Sequence, residues 1–237
     1  NGGTIIAFDL HQVLASDQIF DGIKEEFDAY AHITDAYRHG IMCPLFSPLE
    51  LEDGETEKEI DTVGAVTDVF TRAYGLHCQQ KATLRKAVMH TYSTGAYTTD
   101  GIAALDDALA CIGSEVAVNV REKLYQLTTH NALKNGSLFI QPGKINIIRL
   151  SQFDLETQSV LGEVILSYLW RLASARSLGV SPLYIYADEA QNLTLRKTGA
   201  LAQFLAEGRK FGINLLLATQ SLSVGFSTTE QKRLMQT

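Results

Sequence analysis

The sequence predicts an α/β protein: a doubly wound, mainly parallel sheet with an inserted helical subdomain. Three observations carry this. Apolar runs of strand length occur at residues 4–8, 145–150, 183–187 and 213–218, several bounded by turn residues or ending in polar side chains. Amphipathic helical repeats separate the last three runs, which is the order a parallel sheet requires. Residues 56–133 show helical periodicity with no strand-like alternation.

Taken in order, TIIAF at residues 4–8 reads as a buried strand that ends at Asp9-Leu10-His11. Ile19, Ile23, Phe27 and Tyr30 recur at helical spacing and predict one helix. Two short apolar runs follow, at 31–37 and 41–46, with Pro44 and Pro48 interrupting further pairing. ELEDGETEKEID, residues 50–61, is a charge run expected to be a solvated loop entering a helix. Helices are then marked by Ile60, Val63, Val66, Phe70 and Ala73; by Leu84, Val88 and Tyr92; by Ile102, Leu105 and Leu109; and by Val116, Val120, Leu124 and Leu127. Lys81, Arg85 and Lys86 cluster on the second, either as a solvated face or as a contact for DNA or a partner.

Pro142-Gly143 makes a turn before the strand at 145–150, and Asp154 is placed to cap a long helix running through residue 177. Trp170, the sole tryptophan, reads as a packing residue beside that helix's apolar stripe. Gly179 ends the helix, and the strand LYIYA at 183–187 runs directly into Asp188-Glu189. Residues 201–211 form an amphipathic helix closed by Gly212. A second buried strand over 213–218 ends at Thr219-Gln220, before a polar loop at 221–227 and a last helix at 230–236. The division expected is 1–50, first part of the core; 51–135, helical insertion; 136–237, second part of the core.

A chain of 237 residues fits one large domain, or one with an insertion, and 46% hydrophobic residues can bury a substantial core. The net charge of −7 argues against a basic coat for wrapping nucleic acid, so DNA contact would be local. Cys43, Cys78 and Cys111 are scattered, with no metal-ligand spacing, and suit a cytoplasmic protein. No run approaches the roughly 18 residues of a membrane helix, and no signal peptide opens the chain.

The chemistry is concentrated at 183–220. Parallel strands deliver their carboxyl ends to one edge of a sheet, where open α/β folds place ligands. A carboxylate pair closes one strand and an amide the next. Nucleotide hydrolysis asks for such a set: one carboxylate to hold Mg²⁺ through its water shell, its neighbour to orient or deprotonate the attacking water.

LYIYADEAQN, EGRKFGINLLLATQ and, more weakly, IIAFDLHQ resemble the HerA/FtsK superfamily of P-loop ATPases, ring-shaped motors that pump DNA. The resemblance implies a RecA-like core that hydrolyses ATP with Mg²⁺. In it Asp188 is the Walker B metal residue, Glu189 the catalytic base and Gln220 the γ-phosphate sensor. Asp9 and His11 lie near the nucleotide pocket, and Arg209 near the site or the subunit boundary. It also implies a homo-oligomeric ring, usually a hexamer, acting on DNA, in which an arginine from the neighbouring subunit completes each site; Arg209 and Arg233 are the candidates. The family's phosphate loop, GxxxxGK[ST], is absent from this sequence. A chain that enters a central strand within a few residues, and stops without a closing strand, is expected to be trimmed from a longer protein and inactive alone. Two other classes stay open: a non-hydrolysing interaction or scaffold module in a nucleic-acid-processing complex, and a lobe of a two-domain helicase.

Overall fold

The computed structural model describes residues 3–175, 182–193 and 199–219. Five parallel strands form the main sheet in the order β2-β5-β1-β6-β7, with β1 Thr4–Asp9, β2 Ala31–Asp35, β5 Ile145–Arg149, β6 Leu183–Ala187 and β7 Ile213–Leu217. Two-residue strands β3 Ile41–Met42 and β4 Leu133–Lys134 pair beside it. Before β2 lies α1 Lys24–Tyr30, and after it α2 Ala36–His39. Between β3 and β4 come α3 Glu59–Tyr74, α4 Cys78–Thr94, the short α5 Tyr97–Asp100, α6 Ala104–Ile112 and α7 Glu115–Thr129. The long α8 Leu155–Ser174 leads from β5 towards β6, and α9 Ala200–Glu207 lies between β6 and β7.

The strands form here because their alternate residues meet one core. Register puts Ile6 opposite Ile185, Phe8 opposite Ala187 and Ile148, and Leu183 opposite Ile213, all on one face. These residues are buried in a single apolar cluster with Val66 and Phe70 of α3, Leu161 and Ile165 of α8, and Leu201 and Phe204 of α9. The helical layer and the sheet therefore share one core rather than two. Arg171 of α8 strengthens the join through Glu57 and through Thr62 Oγ1 at 3.1 Å.

Local signals behave as the sequence suggests. Asp154 caps α8, its Oδ1 accepting from the Thr157 N–H at 2.8 Å. Trp170 packs edge-on against Phe204 and Phe211, with ring centroids 5.2 and 5.4 Å away. Gly212 turns the chain into β7 at φ 68°, a conformation that only glycine adopts without strain.

Five expectations need correction. The helix built on Ile19, Ile23, Phe27 and Tyr30 starts only at Lys24, after two 3₁₀ turns, and buries none of its residues. Phe20, Ile23 and Tyr30 are exposed, so apolar spacing made a helix whose apolar side meets no core. The charge run at 50–61 is not wholly solvated, because Glu57 turns inward to Arg171 and the Thr62 hydroxyl. Cationic Arg171 makes that burial tolerable. β7 is not a buried strand: among the described residues it is the sheet's edge, and Leu216 is 65% exposed. Asp188 and Glu189, which strand alternation would point in different directions as the last residues of the run, lie instead in a turn beyond β6. Finally, the helix expected to run through residue 177 ends at Ser174, with Ala175 as its C-cap; Gly179, the loop at 221–227 and the helix at 230–236 fall outside the described residues.

Candidate functional site

Because all the strands of the main sheet run the same way, their carboxyl ends share one edge. Asp9 stands opposite Arg149, Phe8 opposite Ala187, and Ala187 opposite Leu217. The residues just past these positions, His11, Asp188, Glu189 and Ala218, thus rise from one row.

Main-chain bonds weld the ends of β6 and β7. Ala218 N–H donates to Ala187 O and Ala190 N–H to Ala218 O, each at 2.9 Å, so the acid turn is pinned on both sides. Within it the Glu189 N–H donates to Asp188 Oδ1 at 3.0 Å. Glu189 itself has φ 52° and ψ 49°. This left-handed backbone is uncommon outside glycine and costs roughly 1–2 kcal/mol. The turn keeps its side chain where an unstrained residue would not.

That side chain is held in turn. His11 Nε2 lies 2.6 Å from Glu189 Oε2, and Asn192 Nδ2 donates to the same oxygen at 3.2 Å. The Glu189 side chain keeps 22% of its surface exposed and that of His11 44%, so the pair faces the edge rather than the core. His11 is placed by Asp9, which is buried and whose Oδ1 accepts from Val13 N–H at 3.0 Å, folding the chain back after β1. Asp9 Oδ2 lies 3.7 Å from Arg149 Nε, a charge pairing without a hydrogen bond. The reach of the Asp188 charge is visible at Tyr186, whose phenol is pushed above its ordinary pKa by burial first and by Asp188 second.

The structure thus brings Asp9, His11, Asp188 and Glu189 together at one edge. It does not bring Arg209. That residue is exposed in the 3₁₀ turn Gly208–Phe211, which precedes β7 and so lies at the amino edge of the sheet. The length of β7, five residues, separates it from the acid turn by roughly 16 Å at ~3.3 Å per residue. Within one copy Arg209 cannot reach Glu189. Gln220 and Arg233 lie outside the described residues. Arg149 and Asn192 are partners that sequence reasoning missed. A charge closing the apolar run INIIR was the available signal for the first, and an amide three residues after Glu189 for the second.

An open cleft of about 820 Å³ runs from His11 to the amino end of α8, where Asp154 and Glu156 form its wall. Neither Asp188 nor Glu189 lines it, so this cleft lies beside the acid pair, not over it. Among the described residues no three metal-ligating side chains converge. Nor is any helix among them long and apolar enough to cross a membrane.

No protein-family model and no curated protein matches the sequence. Solved structures do match in fold. VirB4 of Thermoanaerobacter pseudethanolicus is 14% identical with a TM-score of 0.65, over 99% of this chain and 66% of that one. The bacterial conjugative coupling protein TrwBdeltaN70 is 15% identical with a TM-score of 0.53, over 99% of this chain and 60% of that one. The plasmid coupling protein TrwB in complex with ADP and Mg²⁺ is 15% identical with a TM-score of 0.51, over 99% of this chain and 68% of that one. The chain thus spans less than two thirds of the first two of these proteins. Over nearly its whole length it has the RecA-like fold of VirB4 and the TrwB coupling proteins, the fold that its resemblance to the HerA/FtsK ATPases implies.

Proposed function

We propose that this chain is part of the ATP-hydrolysing motor domain of a ring-forming DNA translocase or helicase, and that the acid turn at 188–189 is its hydrolytic centre. The observation that carries the reading is the turn itself: two carboxylates at the carboxyl edge of a parallel sheet, pinned to the end of β7 and held in a strained backbone. A coupling protein of the same fold is known in complex with ADP and Mg²⁺.

The residues fit a hydrated magnesium ion. Such an ion keeps several waters and takes one or two protein carboxylates plus phosphate oxygens, so it needs no cage of three side chains. Half-exposed Asp188 meets that demand. When bound, Mg²⁺·ATP supplies the phosphoryl group and neutralises its charge. Glu189 orients and deprotonates the attacking water, while His11 and Asn192 fix the direction of its carboxylate. Asp9 positions His11 through the turn at Val13. Gln220 lies two residues after Ala218, the welded end of β7, in sequence and is assigned the γ-phosphate contact. Arg209 is assigned to the site of a neighbouring subunit, with Arg233 as the other arginine to test.

The same reading takes residues 1–50 and 136–237 as the two parts of the core and 51–135 as the helical insertion. It has DNA as the partner, a homohexameric ring as the assembly and the cytoplasm as the setting. It requires a phosphate loop from polypeptide outside this chain, since GxxxxGK[ST] does not occur in it. That same absence favours the second reading, a non-hydrolysing scaffold module. The deciding experiment is DNA-stimulated ATP hydrolysis by the full-length protein, beside this chain alone. The motor reading expects turnover from the former and none from the latter; absence of turnover with and without DNA leaves the scaffold.

A further inference from the structure

One buried carboxylate has no part in the centre just described. Glu163 is 1% exposed at the middle of α8, among residues that are nearly all apolar. Its Oε1 accepts from the N–H of Ala200, the first residue of α9, at 3.2 Å, and from the Ser167 hydroxyl at 3.3 Å. Arg72 of α3 places its Nε 3.8 Å from the same oxygen and donates through Nη2 to Ser167 at 3.5 Å. A helix usually takes its capping oxygen from its own N-cap residue. Here that residue is Gly199, which has none to offer, and the oxygen comes from another helix.

The neighbouring position adds a second contact. A Cβ on Gly162 would lie 2.5 Å from Leu193 Cδ2, so α8 presses directly on the segment that closes the acid turn. Residues 162 and 163 thereby touch the chain at Leu193 and again at Ala200. An ionised carboxylate is expensive to bury and is tolerated only with charge-assisted partners. An apolar residue would pack this site more cheaply, so the charge calls for another explanation. The partners named here lie on α3, α8 and α9, that is, on the helical layer, the sheet-packing helix and the unit between the acid turn and β7.

We propose that Glu163 is a positioning residue that ties the helical layer, through Arg72, to the acid turn. α9 leads into β7, and Ala218 at the end of β7 holds the turn by two main-chain hydrogen bonds. A displacement of α3 is therefore transmitted through the Arg72–Glu163 pair to α9, and along β7 to the backbone that carries Asp188 and Glu189. The helical layer sets the catalytic geometry rather than merely sitting beside it. This proposal rests on the acid turn being the hydrolytic centre, and its test separates the two.

The experiment combines amide hydrogen exchange with steady-state kinetics on the full-length protein, comparing wild type with Glu163→Gln, Arg72→Met and Arg72→Lys. Glu163→Gln keeps an acceptor for Ala200 and removes the charge. Arg72→Met alters only the half-buried partner and serves if the first variant fails to fold. Exchange in α9's first turn and in residues 187–193 is expected to quicken about tenfold or more in both, as local opening becomes easier. In both, kcat is expected to fall about tenfold with KM within about twofold, the pattern of a misplaced catalytic group. Arg72→Lys should restore most of kcat. Unchanged exchange at 187–193 overturns the tie, and so does quickened exchange with undiminished kcat, which marks a merely structural contact. If wild type itself turns over no ATP, the hydrolytic reading falls and the positioning role falls with it, whereas turnover by wild type with unchanged exchange or undiminished kcat in the variants overturns the tie alone.

Discussion

At the scale of single residues, strain and charge have separable signatures. Glu189 is left-handed, at φ 52°. Glycine at that position should therefore be more stable than alanine by about 1 kcal/mol, although neither keeps the carboxylate. Chemical denaturation of Glu189→Gly against Glu189→Ala checks this; equal stability would mean that the turn is unstrained in solution. Burial leaves a second mark at Cys43, whose thiol is driven well above its ordinary range by desolvation, against the opposing charge of Arg171. The sign follows. A raised folded pKa means that the native state keeps a proton which the unfolded chain gives up, so stability is complete below the ordinary thiol range. It declines as pH rises through that range, by up to ~1.4 kcal/mol per pH unit for this group. Urea midpoints at pH 7 and pH 10, in wild type and Cys43→Ala, measure it: the alanine variant should lose less on going to high pH.

What the sequence disclosed at this scale was what is local. Asp154 as a cap could be read because cap and capped amide are three residues apart. His11 and Glu189 could be nominated from their strand ends. Their 2.6 Å contact, across 178 positions, depends on which strands become neighbours and is invisible to periodicity. The same holds for Asp9 and Arg149, which meet only because β1 and β5 pair.

At the scale of elements, the lesson of β7 is that an apolar strand does not announce whether it is central. INLLL reads as interior, yet only Ile213 is buried, because among the described residues β7 pairs with β6 alone. Its outward face continues through Tyr184 and Ile33, both exposed. Exposed apolar edges invite association. Leu216→Lys should therefore lower the self-association of this chain in sedimentation or light scattering without lowering its thermal midpoint; unchanged association would show that the edge is already covered. Strand direction, by contrast, was readable and decisive. A motif lying just before a parallel strand belongs to the amino edge, which is why Arg209 stands apart from carboxylates that follow β6. Asp154→Ala should cost α8 about 1 kcal/mol, the usual worth of an N-cap, in the same denaturation assay.

At the scale of the whole molecule, the sheet and the helical layer unfold as one body if their shared core means what it implies. Phe70, fully buried in α3, belongs to the same cluster as Ile6 and Phe8 of β1. Phe70→Ala should destabilise by about 3–5 kcal/mol in a single transition seen equally by tyrosines of the helical layer and by Trp170. Two separate transitions would make residues 51–135 an independent unit. The central claim is that the turn carrying Asp188 and Glu189 hydrolyses ATP. Its most direct test is ATP turnover and ATP binding by the full-length protein with Glu189→Gln. Loss of kcat by about a hundredfold or more with nucleotide still bound is the predicted result; turnover at the wild-type rate would contradict it.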